Sequence, residues 1–206
     1  MLEIGCGEGY GAAMLAGSAT SVVGVDYDAT TVAHAAATYP QPHFVRANLA
    51  ALPVPSDSVD VVATLQVIEH VWDHAGFVRE CLRVLRPGGR CFITTPNRLT
   101  FSPGRDEPLN PFHTKEFDIR ELEALLSTNG FMIEQVYGLH SGARIAELDA
   151  RHQGLVDAQL AQPPDAWGAR LRADVAAVVA ADFPVLARTA RDIDESLDLV
   201  VLAVRP

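Results

Sequence analysis

Short apolar runs alternate with amphipathic stretches along the 206 residues of the chain. Brief apolar runs are typical of buried strands, and amphipathic stretches with a period near 3.6 are typical of helices. Their alternation predicts βαβ units around a parallel sheet, and therefore an α/β fold in three layers. Seven strands are predicted, at residues 2–5, 21–26, 43–47, 59–67, 90–95, 131–139 and 197–205.

Four helices are predicted between the first six strands, at residues 9–17, 29–38, 73–85 and 116–128. The segment 97–114 contains prolines and shows little periodicity, which predicts a long loop. Loops of that length within a compact domain are usually functional or disordered. We therefore expect a single domain, 1–206, whose longest loop contributes to a site.

The segment 141–195 separates strands six and seven, although a hairpin connection usually needs only about 2–5 residues. Its pattern predicts helices at 141–152, 155–162 and 167–181. We interpret the segment as a helical insertion that forms a lid over a substrate or a contact in a homodimer. A packed helical decoration without a role in binding is the alternative.

Composition and net charge limit the partners and the compartment that the sequence predicts. The formal net charge is −10, and nucleic-acid or anionic-membrane binders usually present basic surfaces, so neither partner is expected. No apolar run reaches the roughly 20 residues that span a bilayer. Three cysteines, Cys6, Cys81 and Cys91, are widely spaced and form no metal-ligand pattern, which favours reduced thiols in a cytoplasmic protein.

A glycine-rich segment, LEIGCGEGYG, follows the first predicted strand and precedes the first helix. Gly5, Gly7 and Gly9 allow a tight turn and the close approach of a ligand, and the helix directs free N–H groups at that ligand. Asp26 ends the next strand, where a carboxylate can accept both hydroxyls of a ribose. The segment therefore predicts a nucleotide-containing cofactor.

Two cofactor classes fit such a unit. The dinucleotide fingerprint GxGxxG, started at Gly5, would place its third glycine on Tyr10, which is a poor match. With Glu3 included, the segment has the form ExGxGxG and resembles the signature of class I S-adenosylmethionine (SAM)-dependent methyltransferases. The stretches LPVPSDSVDVV and LRPGG resemble further segments of that family, and the resemblance covers nearly the whole chain.

The resemblance implies a Rossmann-like sheet, mostly parallel, whose last strand is antiparallel. It implies that Asp26 holds the ribose, that Asn48 accepts a hydrogen bond from the adenine amino group, and that Leu49 packs on adenine. An amide oxygen can replace the carboxylate that the family usually has at position 48. The cofactor-binding residues expected on this basis are Glu3, Gly5, Cys6, Gly7, Gly9, Asp26, Tyr27, Asn48, Leu49 and Gln66. Family members carry one or two helices before strand one. We expect either that the natural protein starts earlier than this sequence, or that the insertion or a second subunit covers the cofactor in place of those helices.

Candidate catalytic residues follow strands four and five, because open α/β sheets bind ligands at the carboxyl ends of their strands. Glu69 and His70 lie after strand four, and His113 lies in the long loop. Together they could bind a divalent ion or form a base with an orienting carboxylate. Magnesium or manganese suits the mixed oxygen and nitrogen set, and two histidines also admit zinc. Some metal-dependent family members have ExxEH here, but Gln66 replaces the first acid.

We therefore predict O-methylation of a small-molecule or carbohydrate hydroxyl, with His113, His70 and Glu69 as catalytic residues and as tentative ligands of Mg²⁺. The segment NPFHTKEF and the late FPVLARTARDIDESLDLVVLAV stretch resemble actinobacterial methyltransferases that act on sugars or glycolipids. Two alternatives stay open, a SAM-binding protein without turnover and an NAD-dependent oxidoreductase.

Overall fold

The computed structural model describes residues 1–206 and contains one eight-stranded sheet. The strands lie in the order β3-β2-β1-β4-β5-β8-β6-β7. Their bounds are Leu2–Ile4 (β1), Val23–Asp26 (β2), His43–Arg46 (β3), Val59–Leu65 (β4), Leu85–Pro96 (β5), Met132–Leu139 (β6), Val185–Ala187 (β7) and Asp198–Val204 (β8).

Eight α-helices connect or flank these strands. Their bounds are Tyr10–Ala16 (α1), Ala29–Thr38 (α2), His74–Val84 (α3), Arg98–Phe101 (α4), Ile119–Thr128 (α5), Ala143–His152 (α6), Leu155–Leu160 (α7) and Ala169–Ala176 (α8). Short 3₁₀ turns cover Ile68–His70, Pro164–Ala166, Ala180–Asp182 and Ile193–Glu195. No helix is both long enough and apolar enough to cross a membrane.

The predicted Rossmann-like architecture is confirmed. Strands β3, β2, β1, β4 and β5 pair in parallel, and β8 inserts antiparallel between β5 and β6. The core lies on the central strands, where Leu2, Ile4, Val62 and Ile93 are almost fully buried. Residues buried on both faces explain why these strands are continuous apolar runs.

The prediction of seven strands was wrong by one. The additional strand, β7, has three residues and pairs antiparallel with the outer edge of β6. Its sequence is Val-Leu-Ala, which is too short to show the alternation that predicts a strand. Consequently the insertion is not wholly helical, and it returns to the sheet before β8 begins.

Two helix bounds differ from the prediction by more than two residues. Helix α5 begins at Ile119 rather than at residue 116, because Asp118 and Glu121 form a capping box that fixes its first turn. Helix α8 ends at Ala176, five residues before the predicted end. The β-branched pair Val178 and Val179 follows, and such residues have low helix propensity.

The insertion has a small apolar core of its own. Leu148, Leu155 and Leu171 are buried together, apart from the main core of the sheet. One polar side chain anchors the end of the insertion, since the amide of Asn97 donates to the carbonyl oxygens of Ile193 and Ser196 at 3.2 and 3.0 Å. The insertion is thereby held over the carboxyl end of β5.

Candidate functional site

The glycine loop between β1 and α1 requires glycine for its backbone. Gly5, Gly7 and Gly9 have φ angles of 76°, 51° and 89°, in the left-handed region that other residues rarely adopt. A Cβ at position 5 would lie 2.4 Å from a methyl carbon of Val67, whereas a Cβ at position 7 would meet no atom within 4 Å. The loop is therefore packed on one side and open at Gly7.

Asp26 braces this loop from the end of β2. Its Oδ2 accepts the N–H of Gly7 at 2.9 Å, and its Oδ1 accepts the N–H of Asp28 at 3.0 Å. Each carboxylate oxygen has a further lone pair. The half-buried carboxylate thus lies beside the open loop, where it could also accept hydroxyl donors of a ligand.

Two of the candidate cofactor residues, Glu3 and Cys6, lie beneath the loop with buried side chains. Glu3 is 3% exposed, and its Oε1 lies where a Cβ of Gly11 would be. Burial, with the nearby charge of Asp26, raises the pKa of Glu3 to about 7. Burial likewise raises the pKa of Cys6 to about 12. Both side chains support the loop from inside the protein.

The ends of β2 and β3 carry the more accessible candidates. Tyr27 is 66% exposed, and the guanidinium of Arg46 lies 5.6 Å from its ring centre. The side-chain oxygen of Asn48 accepts the N–H of Ala50 at 2.9 Å and retains a second lone pair. Leu49 is half-buried against the core. These groups lie at the sheet edge that the glycine loop also borders.

Gln66 forms the turn that follows β4. It adopts a left-handed backbone with φ of 57°, which is uncommon for a residue other than glycine. Its backbone N–H donates to the carbonyl oxygen of Thr94 at 3.1 Å, and its amide donates to the Thr94 hydroxyl at 3.3 Å. This turn directs the chain into the 3₁₀ turn that contains Glu69 and His70.

The second half of the site consists of Glu69, His70 and His113, and the buried carboxylate of Glu69 lies at its centre. It is 1% exposed, and its Oε2 accepts the hydroxyl hydrogen of Thr95 at 3.0 Å. Burial raises the pKa of Glu69 above its ordinary value, even though this hydrogen bond favours the charged form. The other oxygen, Oε1, lies 4.0 Å from Nε2 of His70.

His113 approaches Glu69 and His70 from the long loop. The rings of the two histidines lie 4.8 Å apart in an edge-to-face arrangement. The loop is fixed in place because the N–H of Thr114 donates to the Glu69 carbonyl oxygen at 2.7 Å, and its hydroxyl donates to the same oxygen at 3.1 Å. The three candidate catalytic residues are therefore brought together from two separate segments.

Hydrogen-bond partners assign the tautomers of the two histidines. Nδ1 of His70 lies 3.0 Å from the carbonyl oxygen of Phe112, so this nitrogen must be the donor. Nδ1 of His113 lies 2.8 Å from Oε1 of Glu116, while its Nε2 lies 3.0 Å from the amide nitrogen of Asn110. A carboxylate accepts and an amide nitrogen donates, so Nε2 carries the lone pair of His113. Both histidines therefore present Nε2 as the basic nitrogen.

The same three residues could hold a cation. The potential ligand atoms of Glu69, His70 and His113 lie within 4.8 Å of one another. Each is oriented by an outer partner, as ligands in metal sites usually are. Two imidazoles and one carboxylate suit Mn²⁺, Fe²⁺ or Zn²⁺ better than Mg²⁺, which prefers oxygen ligands. The residues thus fit a divalent transition metal, and the earlier preference for Mg²⁺ is not supported.

Sequence reasoning missed Asp198 and, although Glu116 was a candidate, did not predict that it pairs with His113. Glu116 is buried, pairs with His113, and has no partner for its Oε2. Its spacing of three residues from His113 could have indicated the pair. Asp198 begins β8, and burial, together with the charge of Glu69, raises its pKa to about 6. No local signal marks Asp198, because only the sheet order brings it near Glu69.

Methyltransferases are among the known proteins that are similar to this chain. Residues 2–93 match a family model described as a methyltransferase domain. A probable S-adenosylmethionine-dependent methyltransferase of Mycolicibacterium smegmatis is 57% identical over 209 residues, covering 100% of this chain and 81% of the relative. A ubiquinone biosynthesis O-methyltransferase of Chelativorans is 33% identical over 102 residues, covering 48% of this chain and 40% of the relative.

Solved structures show the same fold. A SAM-dependent methyltransferase of Thermotoga maritima, titled a possible histamine N-methyltransferase, superposes with a TM-score of 0.69. The alignment covers 100% of this chain and 81% of that chain at 17% identity. Identity at this level shows the shared architecture and carries no information on the acceptor.

Proposed function

Because the chain belongs to the family of S-adenosylmethionine-dependent methyltransferases, we propose that it transfers the methyl group to a hydroxyl of a small molecule or carbohydrate. The observation that carries this proposal is the convergence of Glu69, His70 and His113 at the carboxyl edge of the sheet. A hydroxyl acceptor must lose its proton during transfer, whereas a neutral amine has a free lone pair. A buried carboxylate between two histidines suits that requirement.

The first half of the site, formed by the glycine loop, Asp26 and the segment after β3, fits the cofactor. SAM supplies a methyl group bound to a positively charged sulfur. The open face at Gly7 would receive the methionine part, and the carboxylate of Asp26 would accept the ribose hydroxyls. Asn48 would accept from the adenine amino group with its remaining lone pair, and Leu49 would pack on the base. Gly5, Glu3 and Cys6 would shape this surface from below.

In the second half, Nε2 of His70 would accept the proton of the acceptor hydroxyl, and Nε2 of His113 would accept it once the acceptor has displaced the Asn110 amide that donates to that nitrogen. The Glu69 carboxylate would stabilise the imidazolium that results, and Glu116 would hold the ring of His113 in its tautomer. If a transition-metal ion binds Glu69 and the two histidines, it would lower the pKa of a bound hydroxyl instead. In both versions the protein aligns the acceptor with the methyl group, which can supply much of the rate acceleration.

The relative that is named an O-methyltransferase supports a hydroxyl acceptor, although it matches only half of this chain. The net charge of −10 disfavours RNA, whose phosphates require a basic surface. We also propose that the insertion serves as the lid of a single methyltransferase domain. Its anchorage on Asn97 supports this role, because the proposed acceptor site lies at the same carboxyl end of β5.

The direct test is a methyl-transfer screen with tritiated SAM. The panel contains phenols, monosaccharides, alkyl glucosides and, for comparison, primary amines and carboxylates. We expect label in hydroxyl compounds and none in amines; transfer restricted to amines would overturn the proposal. Binding of S-adenosylhomocysteine measured by calorimetry, without transfer to any compound, would instead support a SAM-binding protein without turnover.

Metal dependence is tested on the same reaction. The enzyme is treated with EDTA, and Mn²⁺, Zn²⁺ or Mg²⁺ is then added separately. Activity that disappears and returns with Mn²⁺ or Zn²⁺ supports the metal version. Activity that is unaffected by EDTA assigns proton removal to the histidines alone.

A further inference from the structure

The helical insertion borders an open cavity that the proposed transfer chemistry does not use. Its volume is about 690 Å³, within the usual range for small-molecule pockets. Eight of its eleven lining residues are hydrophobic, and they come from α6, α7, α8 and the segments that return to the sheet. Contiguous apolar surface in a groove that is open to solvent is typical of a binding site, so an apolar ligand is the natural occupant.

Apolar side chains of the insertion reach the mouth of this cavity. Ile145 and Leu155 are buried in its wall, whereas Val156 is 64% exposed and lines it from α7. Val156 thereby extends the contiguous apolar wall to the protein surface, and such contiguous apolar surface is typical of a binding groove. The wall is therefore suited to a chain that enters from solvent.

The polar groups of the cavity wall indicate whether a charged or an uncharged ligand would bind there. They are Ser141, Asp149 and Gln159, and no basic residue lines the cavity. The Asp149 carboxylate accepts the N–H of Leu155 at 2.8 Å with one oxygen, and the amide of Gln159 donates to the carbonyl oxygen of Leu155 at 3.1 Å. A ligand carboxylate would meet a like charge without a cation to pair with it. The wall thus favours an uncharged amphiphile over a fatty-acid anion.

The cavity adjoins the proposed acceptor site. Leu197 lines it, and its carbonyl oxygen accepts the N–H of Asn97 at 2.9 Å at the end of β5. On the same strand, Thr95 donates its hydroxyl hydrogen to Oε2 of Glu69 at 3.0 Å, and Pro96 pairs with Asp198 of β8. Only the end of β5 therefore lies between the apolar cavity and the carboxylate of Glu69.

We propose that this cavity binds the aliphatic chain of an uncharged amphiphile. Binding of the chain stands on the cavity alone. The further statement that the same molecule carries the methylated hydroxyl rests on the proposed function. The acceptor class would then be a neutral hydroxyl compound with an alkyl or acyl tail, held by its tail in the insertion and by its hydroxyl at Glu69, His70 and His113.

The binding test uses the fluorescence of Trp167, which packs on the small core of the insertion. Substitution of the exposed Trp72 by phenylalanine leaves Trp167 as the single reporter. This protein is titrated with 1-decanol and with decanoate, which have equal chain lengths and differ in charge. We expect saturable binding of 1-decanol and at least tenfold weaker binding of decanoate. Absence of saturation, or equal binding of the two, would overturn the proposal.

Two matched variants locate the bound chain. Val156→Arg introduces a charge at the cavity, and Leu160→Arg introduces the same charge at an exposed residue of α7 that does not line it. We expect at least tenfold weaker 1-decanol binding in the first variant and a change below twofold in the second. Equal effects would overturn the location. If Val156→Arg lowers the melting temperature sharply, Ala146→Phe, which fills the cavity from the exposed side of α6, replaces it.

Sedimentation velocity distinguishes a chain-binding cavity from a contact between two copies. We expect the sedimentation coefficient to be the same with and without 1-decanol. A dimer that 1-decanol or Val156→Arg dissociates would overturn the proposal in favour of self-association.

The link to catalysis is tested separately, by comparing KM for octyl β-D-glucoside with KM for methyl β-D-glucoside. A KM at least tenfold lower for the octyl compound, lost in Val156→Arg, supports it; equal KM values reject the link, and failure of both acceptors rejects the proposed function while 1-decanol binding stands.

Discussion

The two halves of the site are built in different ways. The cofactor half, from Gly5 to Leu49, uses backbone conformation and exposed polar groups, and its main brace joins Asp26 to Gly7 within one βαβ unit. The acceptor half joins Glu69 to a loop more than forty positions further along the chain, and its carboxylates are buried. The first half is suited to binding one fixed ligand, and the second is suited to adjusting proton affinity.

The largest expected effect separates transfer from cofactor binding. We expect His113→Ala to lower the single-turnover rate of methyl transfer by about 10²-fold or more, the low end for general acid–base residues. The affinity for S-adenosylhomocysteine, measured by calorimetry, should stay within twofold. His34→Ala, at an exposed position of α2, is the matched control. A normal transfer rate in His113→Ala would remove this residue from the chemistry.

The next effect concerns stability against pH. Glu3 has a pKa of about 7 in the folded protein and an ordinary value of 4.5, so the folded state retains a proton that the unfolded state releases between these values. Stability should therefore fall as pH rises through this window, by roughly 2–3 kcal/mol in total, and then level off. In Glu3→Gln this contribution should vanish. Urea unfolding between pH 4.5 and 8 measures the slope.

Glu8→Gln is the control for that measurement, because Glu8 lies in the glycine loop that follows β1 and is exposed. It should retain the slope of the unmodified protein. An unchanged slope in Glu3→Gln would show that the buried carboxyl does not govern the pH dependence.

A smaller effect is expected at Asp26. Removal of a carboxylate that accepts ligand hydroxyls costs about 1.5–3 kcal/mol, so Asp26→Ala should weaken S-adenosylhomocysteine binding at least about tenfold. Asp28→Ala, which removes only the cap of α2, should leave that affinity nearly unchanged. Calorimetry on both variants gives the comparison. Equal affinity in Asp26→Ala would overturn the ribose assignment.

The smallest effect tests whether the exposed ring of Tyr27 belongs to the cofactor half. The Nε–H of Arg46 donates to the Tyr27 carbonyl oxygen at 2.9 Å, and its guanidinium lies over the ring. A contact of this kind contributes about 0.5–1 kcal/mol at exposed sites, so Arg46→Ala should weaken S-adenosylhomocysteine binding about two- to fivefold. A calorimetric affinity equal to that of the unmodified protein would exclude Tyr27 from the cofactor surface.

The difference between the halves also explains what sequence alone could predict. The glycine loop and Asp26 are local, since a strand, a turn and the next strand fix their spacing. Glu69 and His113 could be identified as candidates because they follow predicted strands or lie in the long loop. The sequence did not identify the residues that form hydrogen bonds with them. Asp198, and the pairing of Glu116 with His113, became visible only through the sheet order and the docking of the long loop. Strand β7 was not predicted because a segment of three residues is too short to show the alternation of apolar and polar positions.

The central claim is that His70 and His113 act as one unit on the acceptor hydroxyl. A double-mutant cycle on the single-turnover rate tests it most directly, with the best hydroxyl acceptor of the screen and saturating SAM. Residues that act as a unit are strongly non-additive, so we expect the variant with both histidines replaced by alanine to be less than about threefold slower than the slower single variant. A rate loss equal to the product of the two single losses would contradict the claim.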